Sequence, residues 1–240
     1  LVDAIRLVLI QWGATWVLWL LGLLSVLSVA VIVERAFTFR ALAGDIPALA
    51  RALDARLAAG ALQGASDELA ASRAVAARIA AAGLRLADRG PTAVDMAMRS
   101  ATALERGRLE QHLALLGSLG NNAPFVGLFG TVVGVIHAFE HLGHAGSDSL
   151  PTVGAGSPAA VGQVASQMVM TGVAEALVTT AVGILVALPA VAAYNYFQRR
   201  MSTILGGSEV LSNLALAYLA DTSSSTVPPS SPAQESARGG

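Results

Sequence analysis

Gly172-Val173-Ala174-Glu175-Ala176-Leu177-Val178-Thr179-Thr180-Ala181-Val182-Gly183 contains Glu175, the one formal charge in an apolar stretch running from Asp148 to Arg199. An ionised, unpaired carboxylate in hydrocarbon is costly, so intramembrane carboxylates are rare and mark ion paths. Each helical residue turns about 100° from the one before. On that wheel Glu175, Thr179, Gly172, Ala190, Gly183, Ala176, Ala187 and Thr180 share one arc of about 140°, with Val186 the one bulky member. Leu177, Ile184, Leu188, Leu185, Val178 and Val191 fill the remainder. The pattern turns the carboxylate toward protein or water and away from lipid. It reads as part of an ion path through a membrane helix.

Composition agrees with a membrane protein. Of 240 residues, 54% are hydrophobic and 13% charged, about half the charged share of an ordinary soluble domain. A net charge of −1 gives no electrostatic case for nucleic acid, and the lack of cysteine removes disulfides and thiolate metal sites. Ahead of the first apolar run there is no basic region with a small-residue cleavage site, so no removable leader is expected.

Three uncharged runs are long enough to cross a bilayer as helices, which takes roughly 20 residues: Leu7 to Val33, Leu113 to Phe139, and a run within Val161 to Gln198. The expected organisation is all-α and integral to the membrane. It has an N-terminal segment with the first span (1–33), a cytoplasmic helical domain (34–112), and a second span (113–142). A periplasmic connection (143–160), a third span (161–200), a cytoplasmic helix (201–220) and a Ser/Pro-rich disordered tail (221–240) follow. The second and third helices extend into the cytoplasm. Orientation follows from arginine. The segment Glu34–His112 holds 11 arginines and the connection Glu140–Met170 holds none. Arg35, Arg40, Arg106, Arg108, Arg199 and Arg200 flank the same ends of the spans, which marks that side as cytoplasmic. The N-terminus is then periplasmic and the C-terminus cytoplasmic.

Within 34–112 the sequence predicts amphipathic helices. Asp45-Ile46-Pro47 opens one that Gly60 stops, and Ser66 caps a second reaching towards Gly83. Pro91-Thr92 opens a third that runs without a break into the second span. The second span repeats the two-faced pattern. Gly120, Ala123, Gly127, Gly130, Thr131, Gly134 and Ala138 lie on one side, opposite Phe125, Leu128, Phe129, Val132 and Ile136. Small faces let membrane helices approach closely, and for the stripes alone tight packing is the plain explanation. A packing face has no need of Glu175.

Two stretches, Asn122-Ala123-Pro124-Phe125-Val126-Gly127-Leu128-Phe129-Gly130-Thr131-Val132 and Val173 to Gly183, resemble the signature membrane helices of the ExbB/TolQ proton-channel family. Ala187-Leu188-Pro189-Ala190-Val191, Tyr194-Asn195 and Val33-Glu34-Arg35-Ala36 continue the match, in the family's order, across about residues 15–200. The resemblance, nearest to ExbB, implies a homopentamer in the bacterial inner membrane whose second and third helices line a central pore. It implies a dimer of an ExbD/TolR-type single-span partner inside that pore, carrying a membrane aspartate. A TonB-type transducer for outer-membrane transport, or a TolA-type one for envelope maintenance, would be driven by proton flow. By motif position Glu175, Thr131 and Thr180 match the family's polar pore residues, and Thr179 adds a hydroxyl where alanine is common. Gly127, Gly130, Gly134, Gly172, Ala176 and Gly183 form the small face of the pore helices, and Pro189 is expected to kink the third. No cofactor is implied. The chain departs from the family at Val133, where tryptophan is usual, at Met170-Thr171, where Ala-Pro is usual, and in a longer outer connection.

His137, His141 and His144 fall at helical spacing beside Glu140. They suit a Zn or Ni site, a proton-collecting outer mouth, or a plain interfacial cluster, and Gly143 is expected to end the helix before His144. His112 reads as structural. Trp12, Trp16 and Trp19 read as an interfacial belt. The cytoplasmic arginines could meet anionic lipid, but nine acidic residues in the same segment favour a mixed solvated surface. An intramembrane enzyme would need a nucleophile with a base, paired acids or a metal set, and the pore helices offer one carboxylate and threonines. A passive scaffold would tolerate loss of the Glu175 charge. An alternating-access transporter would show an internal repeat, which the chain lacks.

Overall fold

The computed structural model describes residues 15–147 and 158–225, and all regular structure among them is helical. In chain order the helices are α1 (Thr15–Leu42), α2 (Ile46–Ala58), α3 (Leu62–Ala71), α4 (Val75–Leu84), α5 (Pro91–Glu110), α6 (Leu113–Ser147) and α7 (Pro158–Ser225), with a 3-10 turn at Ala87–Arg89. Three of these, α1, α6 and α7, are long and apolar enough to span a membrane. The described chain divides into two compact units. One holds α1 up to Ala36, α6, and α7 up to Gln198. The other holds the segment from Phe37 to Gln111 and α7 from Arg199 onward.

In the first unit α1 buries Val17, Leu21, Ser28, Val31 and Arg35, positions seven or fewer residues apart that return to one side of the helix. Val17 and Leu21 form a core with Ala123 of α6 and with Val186 and Ala187 of α7. Val186, the bulky residue on the small arc of α7, thus belongs to the core shared with α1. Trp16, expected in an interfacial belt, packs edge-on against Phe129 of α6 with ring centroids 6.1 Å apart. Trp19 is 78% exposed, and Trp12 lies outside the described residues.

In the second unit the helix starts are chemical. The Asp45 carboxylate accepts from the Ala48 N–H and Pro47 sits in the first turn of α2, while Gly60, at φ 69°, stands just past its end. These are ordinary start and stop devices. Ser66 does not cap. It lies buried inside α3, and α3 and α4 are separated by Ser72-Arg73-Ala74. There the chain is extended, and the Ser72 hydroxyl accepts from the Ala74 N–H.

Three further boundaries differ from expectation. The chain breaks between α5 and α6 at a turn, where Gln111 leaves the helical region and His112 adopts φ 60°, a left-handed conformation that ends a right-handed helix. At the outer end α6 continues through Gly143 to Ser147, since a lone glycine weakens a helix without terminating it. The third span continues into the helix expected at 201–220 as a single helix, in keeping with its expected extension, and runs through Gly206-Gly207, since glycine weakens a helix without terminating it. That helix also takes in the first five residues of the expected tail and ends at Ser225; residues 226–240 lie outside the described set.

Candidate functional site

The paired faces of α6 and α7 meet each other. Ala123, Gly127, Gly130, Gly134 and Ala138 of α6 are buried, as are Ala176, Thr179, Gly183, Ala187 and Ala190 of α7. Phe125, Leu128, Phe129, Val132 and Ile136 are exposed, along with Leu177, Val178, Ile184, Leu185 and Leu188. The approach is close enough to require glycine. A β-carbon on Gly127 would lie 2.8 Å from the Thr179 carbonyl oxygen and 3.0 Å from Thr180 Cα. One on Gly183 would lie 2.8 Å from the Ala123 carbonyl oxygen and 2.9 Å from Gly127 Cα. Gly172, further out along α7, faces Ala138. The small face of both helices is thus their mutual seam.

Thr179 occupies the middle of that seam and has no exposed surface. Its hydroxyl donates to the Ala176 carbonyl at 2.6 Å and lies 3.2 Å from the Gly127 carbonyl across the seam. Its side chain fills the space left by Gly130, beside Val17 of α1. A hydroxyl so enclosed faces no open surface of the single chain, and its contacts clasp the two helices together. Periodicity put it on the small arc, but only the partner helix reveals that it points into the seam's centre.

Glu175 and Thr180 stand at opposite edges of the seam. Five residues turn Thr180 about 140° from Glu175, and the buried Ala176, Thr179 and Gly183 lie between them. Glu175 is exposed, on the edge where Val186 and Thr179 approach α1. Thr180 is half-buried at the other edge, and its Oγ1 is enclosed without a hydrogen-bond partner. Thr131 of α6 is half-buried and donates to the Leu128 carbonyl at 2.6 Å. Pro189 is exposed within α7, whose helix runs unbroken across it.

The outer histidines are only partly described. His137 and Glu140 are half-buried on α6, while the side chains of His141 and His144 lie outside the described residues. No group of three possible metal ligands gathers among the described residues. At the other end of α6, the His112 imidazole approaches the Glu34 carboxylate at 3.2 Å, tying the start of α6 to α1. This contact gives His112 its structural partner. Arg35, counted among the flanking arginines, is only 5% exposed and its Nε is unpartnered; a cation at a span end gave no sign that it would turn inward.

One polar feature escaped the sequence reading. Ser118, Asn121 and Asn122 of α6 and Tyr194 and Asn195 of α7 line a cleft of about 400 Å³, floored by Ala114, Gly117 and Val191. The signal was available as three amides within two otherwise apolar runs.

The profile of the MotA/TolQ/ExbB proton channel family matches residues 71–209. Among curated proteins, the chain is 39% identical to the Tol-Pal system protein TolQ of Pseudomonas aeruginosa over 113 residues, which are 47% of this chain and 42% of that protein. It is 39% identical to the biopolymer transport protein ExbB of Xanthomonas campestris pv. campestris over 112 residues, 47% of this chain and 38% of that protein. It is 38% identical to TolQ of Haemophilus influenzae over 108 residues, 45% of this chain and 40% of that protein. The chain spans about two fifths of the length of these relatives.

Proposed function

Because this chain belongs to the MotA/TolQ/ExbB proton channel family, we propose that it is the channel-forming stator subunit of a motor driven by proton flow across the bacterial inner membrane. The observation that carries the reading is the exposure of Glu175 in a helix apolar enough to span a membrane. A carboxylate so placed must be covered by another chain or by water. Thr131 and Thr180 are the polar groups at the other edge of the same helix pair, able to donate or accept toward water or a partner carboxylate. Five copies surrounding an ExbD/TolR-type single-span dimer would supply that cover. The N-terminus is periplasmic and the C-terminus cytoplasmic. Pro189 removes one backbone hydrogen bond and lets α7 bend below the carboxylate.

The finer role is energising TonB-dependent outer-membrane transport, in line with the nearest motif likeness. A Tol-Pal role has equal support from identity, since the TolQ and ExbB relatives both match at 39%. Native mass spectrometry of the complex from its own host membrane tests the reading. Five copies with a small single-span partner bearing a membrane aspartate is the expected result, and the partner's sequence assigns the subtype. A monomer or dimer with no such partner would overturn the stator reading.

A further inference from the structure

The cleft between Ser118 and Asn122 on α6 and Tyr194 and Asn195 on α7 lies well away from Glu175, close to the end of the span marked by Arg199-Arg200. Its shape follows from one glycine. Tyr194 lies against Gly117, where a β-carbon would be 3.2 Å from the ring, so the ring folds onto the helix and the space beside it stays open. The Tyr194 hydroxyl accepts from the Gln198 amide at 3.0 Å, which holds the ring in that position.

The cleft's chemistry is polar and free of ionisable acids and bases other than the phenol. Asn121, Asn122, Asn195 and Ser118 are all exposed in the single chain. Primary amides carry two donors and an acceptor each, and leaving them against hydrocarbon is costly. They therefore need water or a polar neighbour. A volume of about 400 Å³ has room for on the order of ten water molecules, given about 30 Å³ for each.

The cleft also lies along the edge that carries the unpartnered Thr180 hydroxyl. Val191, on its floor, comes eleven residues after Thr180, close to three whole turns, so both point to the same side of α7. On α6, Asn121 precedes Thr131 by ten residues, about 15 Å of helix. Between the two polar levels that edge is apolar, with Leu128, Ile184 and Leu188 exposed.

We propose that this cleft is a water-filled inner vestibule, which takes up protons that have passed the threonine level and delivers them to the cytoplasm. It rests on the proton-channel reading and its orientation. Neutral amides and hydroxyls suit the role because they solvate a hydrated proton without holding it as a carboxylate would. The apolar band of Leu128, Ile184 and Leu188 separates this water from the threonines in the absence of a conducting partner, which limits leak.

The chain contains no cysteine, so a single introduced thiol reports only on its own position. Ser118→Cys, a near-isosteric change, and Asn195→Cys on the opposite wall are placed in the full complex in native membranes, with Leu185→Cys as the apolar-surface control. Each is treated from the cytoplasmic side with a charged, membrane-impermeant methanethiosulfonate. The reacting species is the thiolate, which needs water, so both cleft thiols should react at least about tenfold faster than Leu185→Cys. Proton-driven activity, compared for each variant before and after treatment, should fall with labelling. Cleft thiols reacting no faster than the control would show that the cleft is dry and overturn the proposal. Fast labelling with activity unchanged would remove the cleft from the proton path. A complex inactive before treatment would count against the channel reading alone, because the labelling rates still decide whether the cleft holds water.

Discussion

The α6–α7 seam and the α4–α5 contact solve the same problem with opposite chemistry. In the seam, two helices approach until backbone meets backbone, and identity is set by what is missing: side chains at Gly127 and Gly183. One enclosed hydroxyl, Thr179, supplies the polar contact. In the second unit, Glu105 of α5 is buried and binds two arginines, Arg78 of α4 and Arg108 of α5. Val75 and Ile79 of α4 and Val94, Met98 and Leu109 of α5 are buried apolar residues of the same two helices. In lipid the hydrophobic effect does not drive helices together, so close packing and a few hydrogen bonds must do so. In water, apolar burial supplies the driving force, and charges can be spent on fixing the arrangement.

That contrast can be broken from either side. The largest effect belongs to Gly183→Leu. The new side chain meets α6 backbone, which cannot move aside as a side chain would, so the loss is about 3 kcal/mol or more. Thermal unfolding of the detergent-extracted protein should show collapse of the seam, and an unchanged midpoint would mean the helices do not pack as described. Next is Glu105→Gln. It keeps the shape but removes the charge that two arginines share, at about 2 kcal/mol, read as lower thermal stability of the second unit with the seam intact. Arg78 is 37% exposed, so water recovers part of the loss. The smallest is Thr179→Val, which keeps the volume and removes the hydroxyl. Membrane hydrogen bonds average about 0.6 kcal/mol, so a midpoint shift clearly larger than that of Glu105→Gln would reverse the ranking and make the hydroxyl the seam's main tie.

The seam was legible because its signal is periodic. Spacing alone sorted Gly127, Gly130, Gly134, Ala176 and Gly183 from Phe125, Leu128, Ile184 and Leu185, and burial follows that division. Asp45-Ile46-Pro47 was legible because a cap is a local device. The break at His112 was not, since neither glycine nor proline marks it and its left-handed backbone has no local signal in the sequence. Ser66 misled because a serine can cap a helix or be buried inside one, and α3 already starts at Leu62, after Ala61 and without a side-chain cap. Thr179 and Thr180 are adjacent in sequence, yet one is sealed in the seam and the other stands at its edge. A helical wheel gives angles, but only the partner helix says which angle is the centre.

Under the proposed channel reading, Glu175 on the exposed edge is the functional group and Thr179 in the sealed seam the structural one. Proton conduction by the assembled complex in liposomes, measured for wild type, Glu175→Gln and Thr179→Val with assembly verified for each, tests that division most directly. The account predicts that Glu175→Gln assembles and loses proton-driven flux, while Thr179→Val loses stability and keeps its flux once assembled. Normal flux through Glu175→Gln would contradict it.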